Sequence, residues 1–391
     1  MSEPSPRPAA ARRFTLDGSD ALESRLAEIC ARVAHGVREI IPARQLDALV
    51  LGGGYGRGEG GVLQEELGDA PYNDLEFYVF VRGNTVINDG RFKQRLDELG
   101  EILTPHAGLH VEFKISSLAA LRRGPVTMYS YDLVSGHRVI IGAEPVFTGC
   151  DAHLNPKNIP LPEATRLLFN RCTGLLLAEA RFQRPALTPE DVDFINRNVA
   201  KCQLALGDVV LAALGEYHWS VERRQATLHL AAPPKDLDWL PLICDHHTAG
   251  ADFKLHPRRA LPQGTNARAR QVEVCAMAQR VWLWLERRRL GRPFATGRDY
   301  ALDRGNKCPE TSAFKNSLIN VRTFGWRGTF ESGLGRYPRE RLFNSLALLL
   351  WHPEEIRDVA LQSRLRDQLV CRGADWTEFV AAYTQMWRRF S

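Results

Sequence analysis

With 391 residues, 44% of them hydrophobic and 25% charged, the chain has ordinary globular composition and enough apolar material for two compact units. Its formal charge of +5, from 51 basic and 46 acidic residues, admits an anionic partner such as a nucleotide or RNA but falls short of the charge density of a dedicated nucleic-acid binder. The eight cysteines are scattered with no C-x-x-C pair, which argues against a disulfide framework and reads as reduced thiols in a cytoplasmic protein.

In chain order, MSEPSPRPAAARRF lacks the apolar core of a secretory signal, and residues 1–19 read as a disordered tail. Asp20 is placed to cap a helix from Ala21 to about Ile41, with Leu22, Leu26, Ile29, Val33 and Val37 at helical spacing and Pro42 as its stop. Residues 47–51 form a buried strand that runs into Gly52-Gly53-Gly54, and residues 61–72 read as a loop or short helical insertion. Leu75 to Val81 is a strand. A helix from Arg91 to Leu103 is stopped by Pro105, and Leu109 to Ile115 alternates as a second strand. After a short helix at 118–122 comes a predicted hairpin, with Ser135-Gly136 at its turn and Arg138 to Ile141 as its second arm. Strands mixed with helices to about residue 150 predict an α+β domain over 20–150.

Beyond residue 150 helical patterns dominate: 163–182, Pro189 to Tyr217 with Thr188 as cap, Asn266 to Leu290 with Gly291 as C-cap, 311–324, 339–350, 353–370 and 376–390. Residues 220–262 read as irregular and Pro-rich. Residues 151–391 are therefore expected to form an all-helical second domain with a loop-rich insertion, closing a cleft over the first. No apolar run spans a bilayer; LALLLW at 346–351 is far too short, so no membrane partner is expected.

Six glycines in the nine residues from Gly52 to Gly60, directly after a strand, are more than a plain turn needs. The window Gly56-x-Gly58-x-x-Gly61 formally matches a dinucleotide fingerprint. That motif needs a helix straight after it and an acid at the end of the second strand, whereas here the acids stand at its start. A Walker A loop needs Gly-Lys, which is absent, and the kinase V-A-I-K and H-R-D motifs are missing too. Asp74 and Glu76, two apart on a strand, project to one face, and Glu112 sits likewise among Val111, Phe113 and Ile115. If the two strands are neighbours, three carboxylates converge, and such a cluster needs cations; Mg2+ suits carboxylates plus phosphate oxygens. The alternative for Glu112 is a solvated strand glutamate or an ion pair with Lys114.

Gly53-Gly54-Tyr55-Gly56-Arg57-Gly58-Glu59 followed by Asp74-Leu75-Glu76 resembles the signature of the DNA polymerase β-type nucleotidyltransferase superfamily. The resemblance covers residues ~20–150 and is a superfamily signal. It implies a nucleotidyltransferase core (a mixed sheet flanked by helices) followed by a helical domain. It also implies Asp74, Glu76 and Glu112 as catalytic and metal residues for Mg2+ (or Mn2+), and Gly53, Gly54 and Arg57 toward an NTP substrate. A lysine on the helix after the catalytic domain is implied toward the triphosphate, for which Lys201 is the candidate; a solvated, ion-paired helix face is the alternative. The gap between Gly54 and Asp74 is longer than usual in the family, so an insertion must loop out. The acceptor is not identified: a small molecule is favoured, with RNA, a tRNA end or a protein side chain as other classes, and a catalytically degenerate nucleotide-binding or scaffold protein is the alternative to an enzyme. Cys244-Asp245-His246-His247 reads as a loop, Arg287-Arg288-Arg289 as cations closing a helix, Trp282 and Trp284 as core or interface, and 325–337 as an unassigned Gly-rich loop.

Overall fold

A computed structural model describes residues 13–66, 68–259, 266–333 and 335–390. The first twelve residues of the expected tail lie outside them. From Arg13 onward the chain is fixed rather than disordered. Phe14 and Thr15 are buried, and both their backbone N–H groups donate to the Glu23 carboxylate, at 2.7 and 3.0 Å.

Helix α1 (Asp20–Ile40) is capped by Ser19, whose hydroxyl accepts from Leu22 N–H, so the cap is one residue earlier than expected. Strand β1 (Leu46–Leu51) leads into the five-residue helix α2 (Gly53–Arg57). The segment expected to be loop or helix is a two-stranded ribbon, β2 (Val62–Glu65) with β3 (Gly68–Pro71). Then come β4 (Leu75–Val81), α3 (Thr85–Ala107), β5 (Val111–Ser116), α4 (Leu118–Arg123), α5 (Met128–Ser135) and β6 (Arg138–Ile141). Helix α3 starts at the Asn84 cap and runs past Pro105 to Gly108, whose φ of +74° ends it. The expected hairpin does not form. Thr127 and Ser130 make a reciprocal capping box that starts α5 instead, and β6 pairs with β1.

The remaining helices are α6 (Leu161–Phe182), α7 (Pro189–Leu214), α8 (Val221–Leu230), α9 (Leu240–Leu255), α10 (Ala267–Leu290), α11 (Gly297–Leu302), α12 (Ala313–Ser332), α13 (Glu340–Trp351), α14 (Val359–Leu369) and α15 (Trp376–Phe390). Residues 220–259 are thus largely helical rather than irregular: Ser220 caps α8, and Pro241 sits in the first turn of α9, where a missing N–H costs nothing. No helix among the described residues is long and apolar enough to cross a membrane.

The protein is α+β, and its chain divides into two compact units. One comprises the described parts of Met1–Glu163 together with Leu211–Arg258; the other comprises Ala164–Val210 with the described parts of Arg259–Ser391. A single cut at residue 150 does not describe this division, because α8 and α9 belong to the same unit as the sheet.

In the first unit a mixed four-stranded sheet has the order β5-β4-β1-β6, with β4 parallel to β5 and β1 antiparallel to both its neighbours. One face, with Leu49, Leu51, Leu75, Phe77, Val79, Val111 and Phe113, packs on the apolar stripes of α1 and α3. The other, with Ala48, Val50, Tyr78 and Phe80, packs on Leu133 and Val134 of α5 and on Val146 and Phe147. In the second unit α13 is buried along nearly its whole length, Glu340, Arg341, Asn344 and Ser345 included. Phe343 meets Phe169 and Trp282 edge-on, with ring centroids 4.8 and 5.7 Å apart.

Candidate active site

The register of β1 against β4 sets Leu51 opposite Phe77, and the Gly52 N–H donates to the Glu76 carbonyl at 2.9 Å. The chain then turns with Gly53 at φ +62°, a conformation that favours glycine. A Cβ on Gly53 would stand 3.4 Å from Glu76 Oε1, and one on Gly56 would stand 2.1 Å from the Leu51 carbonyl oxygen. Bare backbone at 53 is therefore what brings the turn beside a carboxylate, and at 56 what folds α2 back on its own strand.

Tyr55 holds the following insertion in place. Its hydroxyl donates to the Gly61 carbonyl at 2.8 Å and accepts the Tyr72 N–H at 2.9 Å, two residues before Asp74. Burial pushes that hydroxyl's pKa up to about 12, so it stays a neutral donor. The long gap between Gly54 and Asp74 thus folds as the β2–β3 ribbon, tied at its base by one buried tyrosine.

Asp74 is exposed at the mouth of β4. Glu76 lies opposite Glu112 in the parallel β4–β5 register, and Tyr78 opposite Lys114. Side chains two apart share a face, so these four stand together on the side away from α1 and α3. The Tyr78 hydroxyl donates to Glu76 Oε2 at 2.6 Å, and Lys114 Nζ reaches Glu76 Oε2 and Glu112 Oε2 at 3.3 Å each. The Tyr129 ring lies against Tyr78, with centroids 5.5 Å apart. Burial and the neighbouring Glu76 raise the Tyr78 pKa well above the ordinary phenol range. Partial burial works against the Lys114 charge, but Glu76 and Glu112 outweigh it and hold the ammonium above its ordinary pKa.

Around the turn the polar contacts are internal. Arg57 is largely covered and pairs with Asp132 of α5 at 2.8 Å, and Tyr217 donates to the same oxygen at 3.3 Å. Glu59 is buried. Both its oxygens accept the Val221 N–H, at 3.0 Å, and Lys254 stands 3.6 Å away. Burial opposes the Glu59 charge, yet Lys254, Ser220 and the α8 backbone overcome it and lower its pKa.

The structure therefore brings Gly53, Glu76 and Glu112 together and puts Asp74 two residues from Glu76. It directs Arg57 to Asp132. Lys201 is exposed on α7 in the second unit. Glu112 makes the Lys114 ion pair that was its alternative reading. Tyr55, Tyr78, Tyr129 and Glu59 were not singled out from the sequence. Tyr78 carried a signal, being the next same-face residue after Glu76, but Tyr129 and the partners of Glu59 come from distant segments.

Three carboxylates are a hard-oxygen donor set suited to Mg2+ or Mn2+. Their oxygens do not all gather within 4.8 Å of one another; among the described residues His352, Glu354 and Glu355 do so, and Glu355 there also pairs with Arg298 at 2.5 Å. Among the described residues the contacts of Glu76 from Tyr78 and Lys114 fall on Oε2, and Lys114 is the cation that any ion on these carboxylates would have to share the site with. Cys244, His246 and His247 lie on α9 rather than in a loop, and the Cys244 thiol faces the Leu228 carbonyl at 3.6 Å. All eight cysteines are free. No protein-family model matches the chain, and no curated protein does either.

Proposed function

We propose that the first unit is a nucleotidyltransferase of the polymerase β type, moving a nucleoside monophosphate from an NTP to an acceptor hydroxyl or phosphate with release of pyrophosphate. One observation carries this reading: Glu76 and Glu112 stand opposite each other on adjacent strands, with the Gly53 backbone against Glu76. A Mg2+ or Mn2+ ion held by Asp74, Glu76 and Glu112 would supply Lewis-acid stabilisation of phosphate charge. By resemblance the backbone N–H groups of Gly53 and Gly54 would face the NTP phosphates. Glu112 is placed to accept the proton of the attacking hydroxyl. A small-molecule acceptor fits the weak net charge better than long nucleic acid does.

The test is incubation with each labelled NTP, Mg2+ and a cell extract. The expected result is a labelled acceptor, with transfer reduced at least about a hundredfold in Asp74→Asn and in Glu76→Gln. Turnover retained in folded Asp74→Asn ends the proposal. A second reading, nucleotide binding without chemistry, is favoured by the Lys114 ammonium shared between Glu76 and Glu112. Metal-dependent NTP turnover separates the two.

A further inference from the structure

The second unit holds a cavity of about 400 Å3 that none of the preceding residues line. Its walls come from the segment after α11, from α12, from the turn before α13, and from α13 and α14. Arg304, Arg336 and Arg364 supply its positive charge, and Asn320, Asn344 and Glu340 its other polar groups. A fourth arginine, Arg341, is held in the wall by the Asp367 and Gln368 carbonyls at 2.7 and 3.2 Å. The lining carboxylates neutralise only the Arg336 part of this charge. Glu340 is taken by Arg336 at 2.6 Å, and Asp303 by Arg292 at 2.6 Å. Neither Arg304 nor Arg364 makes an ion pair among the described residues, and Arg364 Nε is buried without a partner.

Three buried acceptors face the same problem in reverse. Asn320 and Asn344 are 1% and 5% exposed, and each uses its amide NH2 inside the protein: Asn320 to the Arg336 carbonyl at 2.7 Å, Asn344 to Gln368 Oε1 at 3.2 Å. Their Oδ1 atoms, and Glu340 Oε2, are left without a donor. Buried polar atoms without partners are costly, and one such donor with three such acceptors around one cavity mark a place where a ligand completes the set. Unpaired guanidinium calls for an anion, and phosphate suits its planar fork. Unpaired Oδ1 and carboxylate atoms call for hydroxyl or amino donors. The volume is that of a small-molecule site.

We propose that this cavity binds a small phosphate monoester carrying hydroxyl groups, its phosphate on Arg304 and Arg364 and its hydroxyls on Asn320, Asn344 and Glu340. A sugar phosphate and a nucleoside monophosphate share that chemistry. Arg364 bears the mark of the missing anion: burial first, then Arg304 and Arg336, pull its pKa below the ordinary guanidinium value, and Asp367 and Glu340 only partly offset them. The site does not depend on the reaction assigned to the first unit.

The experiment is calorimetric titration of the full chain with ribose 5-phosphate, AMP, inorganic phosphate and ribose. Saturable binding of a phosphate ester is expected, tighter than inorganic phosphate and with none for ribose. It should weaken about tenfold or more in Arg364→Gln and in Asn344→Leu. Arg304→Gln, at an exposed position, gives the same readout if the buried variants fail to fold. Binding that persists in Glu76→Gln separates this site from the first unit. No phosphate-ester binding, phosphate bound as tightly as its esters, or binding indifferent to Arg304→Gln and Arg364→Gln would each overturn the proposal.

Discussion

Lys114 is the residue on which the candidate active site turns. Its ammonium lies 3.3 Å from an oxygen of Glu76 and of Glu112, where it offsets a like-charge pair that adjacent strands force together. A divalent ion bound to these carboxylates meets a resident positive charge. Replacing Lys114 by Met should therefore tighten Mn2+ binding by about tenfold, read from the free-ion signal in electron paramagnetic resonance. Unchanged Mn2+ affinity would mean that the carboxylates do not hold the ion. Gly56 makes a different prediction. A methyl there meets the Leu51 carbonyl oxygen at 2.1 Å, backbone that cannot give way, so Gly56→Ala should unfold the turn rather than tune it. A loss of at least about 2 kcal/mol in chemical denaturation is expected.

Among the elements, α8 is the one that secures the turn. Glu59 sits at its first N–H, where the helix dipole favours a negative charge, and Lys254 of α9 completes the pair. Glu59→Ala leaves Lys254 buried without its carboxylate and should cost about 3 kcal/mol or more. Because the folded Glu59 pKa is lowered, its contribution is complete above the ordinary carboxylate pKa and fades as pH falls through the folded value. The denaturation midpoints of wild type and Glu59→Gln should accordingly converge on moving from about pH 7 to about pH 3. The strands were legible in the sequence because 75–81 is rich in aromatic and β-branched residues and 109–115 alternates with a period of two. Their register was not: that Glu112 faces Glu76 is a nonlocal fact of sheet pairing. The mistaken hairpin has a local cause: Ser135-Gly136 suits a turn, but here it closes helix α5, with Gly136 as the C-cap. Helices α8 and α9 were hidden by the prolines around them, and the glycines beside Glu76 were legible by number alone, not by what each one touches.

At the scale of the whole molecule, the two units are threaded through each other along the chain: α8 and α9 belong with the sheet, although α6 and most of α7 belong with the helices that follow residue 259. A chain ended at residue 163 keeps the sheet, the glycine turn and all three carboxylates, but deprives Glu59 of the Val221 N–H and the Lys254 ammonium. Such a fragment should lack a cooperative thermal transition and bind an apolar dye, where the full chain melts sharply; a sharp melt would show that α8 and α9 are dispensable. Synthesis on the ribosome meets the same constraint. Nascent domains generally mature one after another from the N-terminus. Here helices of the later unit emerge before the earlier unit has its last parts. The unit that would handle nucleotides thus receives its last residues only after some 258 have been translated.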